Sequence, residues 1–124
     1  MREGDNINLI LPGNITFASG GYQLNTNFLQ VLDSVVLVVN EYKKTITVVA
    51  GHTDSQGSNQ ADQTLSERRA ASVSFYLISK KVANARTEST GFGENFPIGN
   101  NAIDEGRSQN QRVELSLVPI TEGS

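Results

Sequence analysis

A chain of 124 residues falls within the length of one domain and can bury a single modest core. Its net charge of −3, without a basic cluster, excludes nucleic acid as a partner, because phosphate neutralisation dominates such binding. The absence of cysteine excludes disulfides and thiol chemistry, and no apolar run approaches the length of a membrane span. The first residues, MREGDN, are polar and lack a signal peptide's hydrophobic region, so the chain is either cytosolic or a piece of a longer exported protein. Residues 1–6 and the tail 120–124 are expected to fray.

In chain order, Ile7, Leu9 and Leu11 alternate, Pro12-Gly13-Asn14 breaks the run, and Ile15 and Phe17 follow. Residues 7–17 therefore read as two short strands around a tight turn. A loop at Ser19-Gly20-Gly21 precedes Asn25 and Thr26, either of which suits a helix N-cap. From 27 to 44, Phe28, Leu32, Val35, Val39 and Tyr42 fall on one helical face. The run Val35-Val36-Leu37-Val38-Val39 would suit a strand, but the length, the cap and the closing Lys43-Lys44 decide for a helix. A strand is expected over 45–50, then a helix beginning between Asn59 and Ser66 and ending near Lys81. Leu65, Ala70, Val73 and Leu77 form its inward face, with Glu67, Arg68, Lys80 and Lys81 solvated. A weak strand over 86–92 leads into a long polar connection, 94–107, whose length marks it as functional. Val113, Leu115 and Leu117 alternate in the last strand. The expected class is α+β, a two-layer sandwich with helices packed on one face of a mixed sheet.

The richest stretch is GHTDSQGSNQADQTLSERR, 51–69. It places Asp54 at a strand's exit and Arg69 near a helix's beginning, an arrangement suited to a ligand that carries both charges. His52 is the only histidine, with no second ligand at metal spacing, so it is assigned a structural hydrogen-bonding role and no metal or cofactor is expected. Glu105 and Arg107 are expected to staple the long loop.

Four blocks carry a resemblance. GHTDSQG (51–57), LSERRAASVSFYL (65–77), TGFGENFPIGNN (90–101) and EGRSQNQRVEL (105–115) resemble, in order, those of the OmpA-like peptidoglycan-binding domain of OmpA and MotB type proteins. The opening LPGNITF is similar to the outer-membrane lipoprotein branch. The resemblance implies one domain over 1–124 with the order βαβαββ and no enzymatic activity. It implies non-covalent binding of the diaminopimelate residue of the peptidoglycan stem peptide. By the same match Asp54 takes the ligand's ammonium and Arg69 its carboxylate, with Leu65 as an apolar wall. Thr53, the mostly buried Phe17 and Ser19 in the loop after it would line the rest; Asn110 and Arg112 also carry over from the last block. The implied location is the periplasm, tethered to the outer membrane through a segment absent from this chain, with other envelope proteins as possible partners.

Two departures stand out. Asp62 replaces the family's usual Asn, which would either strengthen ammonium binding or draw Arg69 into an internal ion pair. Gln111 replaces the first Arg of Asn-Arg-Arg, so no role carries over to it. An enzymatic alternative would pair Asp54 with Asp62 or Glu67 as acid and base for glycan cleavage, but nothing in the sequence marks a perturbed carboxylate pair. A protein-interaction role of the same fold is the other alternative.

Overall fold

The computed structural model describes residues 6–18 and 20–120. Alternating β-branched and aliphatic residues make three of the strands, while the third in chain order, TESTG, is polar. β1 (Ile7–Pro12), β2 (Thr45–His52), β3 (Thr87–Gly91) and β4 (Arg112–Pro119) form one sheet in the order β1-β4-β2-β3. β4 is antiparallel to both β1 and β2, while β2 and β3 run parallel. A parallel pair needs a long crossover, and α3 (Asn59–Ser79) supplies it. Both α3 and α2 (Leu29–Glu41) bury their apolar stripes on one sheet face. There Leu32, Val39, Val73 and Leu77 pack with Val49, Val113, Leu115 and Leu117. The α+β sandwich with a mixed sheet and helices on one face is therefore as expected.

Several elements differ from the sequence expectation. Residues 13–16 form a single helical turn, α1 (Gly13–Thr16), rather than the start of a second strand. The Gly13 N–H donates to the Gln111 carbonyl (2.8 Å) and the Phe17 N–H to the Gly13 carbonyl (3.1 Å), so the chain winds instead of returning. Phe17 makes only an isolated bridge, to Leu24. The Asn25 side chain accepts from the Asn27 N–H, capping a 3-10 turn that leads into α2. α2 ends at Glu41, short of Lys43 and Lys44, and its last carbonyls are met by Arg86 from across the fold. Ser58 caps α3 by accepting from the Ala61 N–H (3.1 Å). Leu65 is only half-buried; the inward position belongs to Ser66, whose carbonyl would lie 2.1 Å from a Cβ at Gly51. Glycine at 51 is thus what lets α3 lie against β2. The connection after β3 contains a short helix, α4 (Asp104–Asn110), where a continuous loop was expected. Of the ends, residues 1–5 and 121–124 lie outside the described residues, while the Ile120 N–H donates to the Lys44 carbonyl (2.9 Å). No helix among the described residues is long and apolar enough to cross a membrane.

Candidate functional site

The carboxyl ends of β2 and β3 and the first half of α3 converge with the loop after Phe17. This is the position, outside the strand ends, where α/β sheets leave room for ligands. Chain direction alone delivers Thr53 and Asp54 there. The Thr53 N–H donates to the Gly93 carbonyl (2.8 Å) and its hydroxyl to the Asp54 carbonyl (3.0 Å), so both are pinned. Asp54 accepts from the Gln56 N–H through Oδ1 (2.9 Å), a local turn that fixes the carboxylate, and from Gln111 Nε2 through Oδ2 (2.7 Å).

Arg69 lies half-way along α3, not at its N-terminus, because the helix already begins at Asn59. The macrodipole fades within the first turn, so the helix end adds nothing to anion binding at Arg69. Its position comes from elsewhere. The guanidinium sits 4.8 Å above the Phe17 ring and donates from Nε to the Gly21 carbonyl (2.8 Å). Nη1 is buried and has no partner among the described residues. A Cβ at Gly13 would stand 3.1 Å from that nitrogen, so glycine there preserves its space. Burial lowers the pKa of Arg69 and the Asp54 charge raises it, yet no ion pair joins the two among the described residues. Asp54 and Arg69 are each 3% exposed. Two opposite charges are thus held close enough to feel each other and left unjoined.

Asp62, in the first turn of α3, is also buried, with Oδ2 unpartnered among the described residues. Its pKa is pushed up to about 6, first by burial, then by a hydrogen bond and repulsion from Glu94, and last by the Asp54 charge. Of the two alternatives for Asp62, the ion pair with Arg69 is not formed among the described residues; Asp62 has the carboxylates of Glu94 and Asp54 as neighbours. Asp62 is a perturbed carboxylate that the sequence did not reveal.

The remaining residues sort by what they touch. Leu65 lines a groove with Gly20, Gly21 and Tyr22 beside the site, and Ser19 lies outside the described residues. Phe17 is buried and gives Arg69 a ring face. Asn110 is saturated: Oδ1 accepts from the Ile98 and Gly99 N–H groups (2.7 Å each), and Nδ2 donates to Gly99 (3.0 Å) and Asn101 (2.7 Å). Arg112 donates to Glu114 (2.7 Å), Asn110 and the Phe96 carbonyl (3.0 Å). Both residues hold the 96–101 segment and have no donor directed at Asp54 or Arg69. The loop staple is Arg107 with Asp104 and the Asn101 carbonyl; Glu105 is exposed. His52 stacks on Phe92 (5.4 Å) with its Nδ1 unpartnered among the described residues, so it packs where a hydrogen bond was expected; burial and Arg112 lower its pKa. No cluster of His, Asp or Glu among the described residues is placed to hold a metal. Gln111 is the site residue that the sequence assignment passed over. Extending the alternation of Val113, Leu115 and Leu117 one step back puts 111 on the helix side, and that signal would have found it.

The chain is similar to known proteins in both sequence and fold. The OmpA family model matches residues 16–111. The probable lipoprotein YiaD of Escherichia coli strain K12 is 41% identical over 119 residues, covering 96% of this chain and 54% of YiaD. The peptidoglycan-binding protein ArfA of Mycobacterium tuberculosis H37Rv is 33% identical over 109 residues, 88% of this chain and 33% of ArfA. The chain thus spans about half of one relative and a third of the other. The structure of the cell wall anchor of the T6SS from Pseudomonas aeruginosa superposes with a TM-score of 0.85 at 25% identity, covering 93% of this chain and 82% of that one. With more than half of its length matched by the family model and its fold shared, the chain belongs to the OmpA family.

Proposed function

We propose that this domain binds peptidoglycan without covalent chemistry, holding the diaminopimelate end of a stem peptide between Asp54 and Arg69. The observation that carries it is the pair of buried, opposite charges, unjoined among the described residues, with Arg69 Nη1 lacking a partner there. Diaminopimelate ends in one carbon bearing an ammonium and a carboxylate, so a single ligand group answers both. Asp54 accepts from the ammonium and Arg69 donates to the carboxylate. Asp62 and Glu94 add negative charge on the ammonium side, and Thr53, Phe17 and Leu65 shape the surroundings. Family membership, a relative named for peptidoglycan binding and a structural neighbour described as a cell wall anchor support the wall as target. Such binding would tether an envelope protein to the wall in the periplasm, with the outer membrane reached through a segment beyond this domain.

Calorimetry with two soluble stem peptides, one containing diaminopimelate and one lysine, tests the assignment. The lysine peptide lacks the terminal carboxylate and should bind far more weakly, because Arg69 is then left without its anion. Asp54→Asn and Arg69→Lys should each lose on the order of 2–5 kcal/mol toward the diaminopimelate peptide. Equal affinity for the two peptides, or near-wild-type binding by either folded variant, refutes it.

A further inference from the structure

Two grooves flank Tyr22 on the outer side of α3. One, of about 570 Å³, borders Ser58, Leu65 and Arg68; the other, of about 790 Å³, continues past Ser72 to Phe75 and Tyr76. Positions 61, 65, 68, 72 and 75–76 form one helical stripe, spanning about 20 Å at 1.5 Å per residue. The stripe begins beside the Asp54–Arg69 site, since Gly21, whose carbonyl receives the Arg69 Nε–H, lines both grooves.

The chemistry of this surface is specific. Phe75 is 74% exposed and Tyr22 44%, so two aromatic rings stand outside the core where hydration disfavours them. Their neighbours are preorganised. The Arg68 guanidinium lies 5.3 Å over the Tyr22 ring, and the loop that carries Tyr22 is closed by the Ala18 N–H to the Gln23 carbonyl (2.9 Å). Tyr76 is fixed by donating its hydroxyl to Asp33. Among the described residues Arg68 is the only charged one lining either groove, and amides and hydroxyls, Gln23, Gln60, Ser58, Thr64 and Ser72 among them, supply the other polar lining. An uncharged ligand with apolar faces and a polar, amide-bearing edge fits these walls. N-acetylated sugars have that form: the ring C–H faces stack on aromatics, and hydroxyls and acetamides bond amide side chains.

We propose that the Tyr22–Phe75 surface is a glycan subsite, taking the amino-sugar strand from which a bound stem peptide hangs. The proposal rests on the stem-peptide assignment for its choice of glycan. The few residues of a stem peptide reach on the order of 10 Å, enough to span from the charged site to the Tyr22 groove.

The test is an NMR titration of the intact chain with a soluble oligomer of N-acetylglucosamine, which carries no peptide. The amides of Tyr22, Ser72 and Phe75 should shift saturably. Phe75→Ala and Tyr22→Ala, both at exposed positions, should weaken binding roughly two- to tenfold for each lost stacking ring. Free stem peptide, measured alongside, should keep wild-type affinity in Phe75→Ala. Absence of saturable shifts, or unchanged oligosaccharide binding in both variants, overturns the proposal, including the case in which this surface takes a protein partner instead. Failure of the wild type to bind stem peptide would sink the charged-site assignment, while the oligosaccharide titration still decides the groove.

Discussion

Asp62 shows how one side chain sets the electrostatics of the site. An acid in the first turn of a helix is normally stabilised as the anion by the macrodipole. Here burial, the Glu94 hydrogen bond and the Asp54 charge outweigh that effect and carry the pKa to about 6, from 3.8 in the absence of these neighbours. Between those values the folded protein holds a proton that the unfolded chain releases, so stability falls as pH rises from about 4 to 6 and then levels off. Asp62→Asn should flatten that slope and stabilise the protein at neutral pH by on the order of 1–2 kcal/mol. Urea denaturation of both proteins across this range checks it, and parallel slopes would show that another group is responsible. A ligand ammonium beside the three carboxylates favours their charged forms. Stem-peptide affinity should therefore rise from about pH 5 to 7 in the wild type and less in Asp62→Asn, measured by calorimetry at each pH. Asp62 was visible in the sequence as an unusual charge. Its facing partners were not, because Glu94 arrives from the far end of β3 and only the crossover brings the two together.

At the scale of elements, the C-terminus of α2 depends on a residue that local sequence does not supply. Arg86 donates to the carbonyls of Tyr42 (2.9 Å) and Thr45 (2.8 Å), placing a cation at the negative end of the helix. Arg86→Met keeps the aliphatic stem but strands those carbonyls, and should cost about 2–3 kcal/mol. A urea midpoint matching wild type would show that water replaces the guanidinium without loss. The same example explains what the sequence made legible. β2 and β4 were clear because alternation is a local signal that survives any tertiary context. α4 was hidden: DEGRSQN has no apolar period, and the segment is held by Asn110 and Arg107 rather than by propensity. α1 was read as strand because Ile15 and Phe17 alternate, yet Ile15 is half-exposed and the turn is fixed by the Gly13–Gln111 hydrogen bond. Asp54 and Arg69 were found as a pair, but the supports of Arg69, Gly21 and Phe17, come from a loop with no periodic pattern.

For the whole molecule, the site is where otherwise separate parts meet. Asp54 follows β2, Arg69 belongs to α3, Gly21 and Phe17 come from the loop before α2, and Gln111 precedes β4. Each is distant in sequence, so global unfolding disperses the site, and a ligand that bridges Asp54 and Arg69 binds the folded state alone. Binding must then raise the unfolding temperature by mass action. At a hundredfold excess over Kd the stabilisation is about 2.7 kcal/mol, or about 10 °C for a domain of this size. The diaminopimelate stem peptide should produce that shift in a thermal melt, and the lysine peptide at equal concentration should produce little. Arg69→Lys should melt cooperatively but lose the ligand-dependent shift, because an ammonium cannot reproduce the guanidinium's bonds to Gly21 and the ligand carboxylate together. Phe75→Ala, outside the charged site, should retain the full shift with the free peptide. An equal shift from both peptides would mean that the ligand stabilises the fold through contacts other than the Arg69 guanidinium.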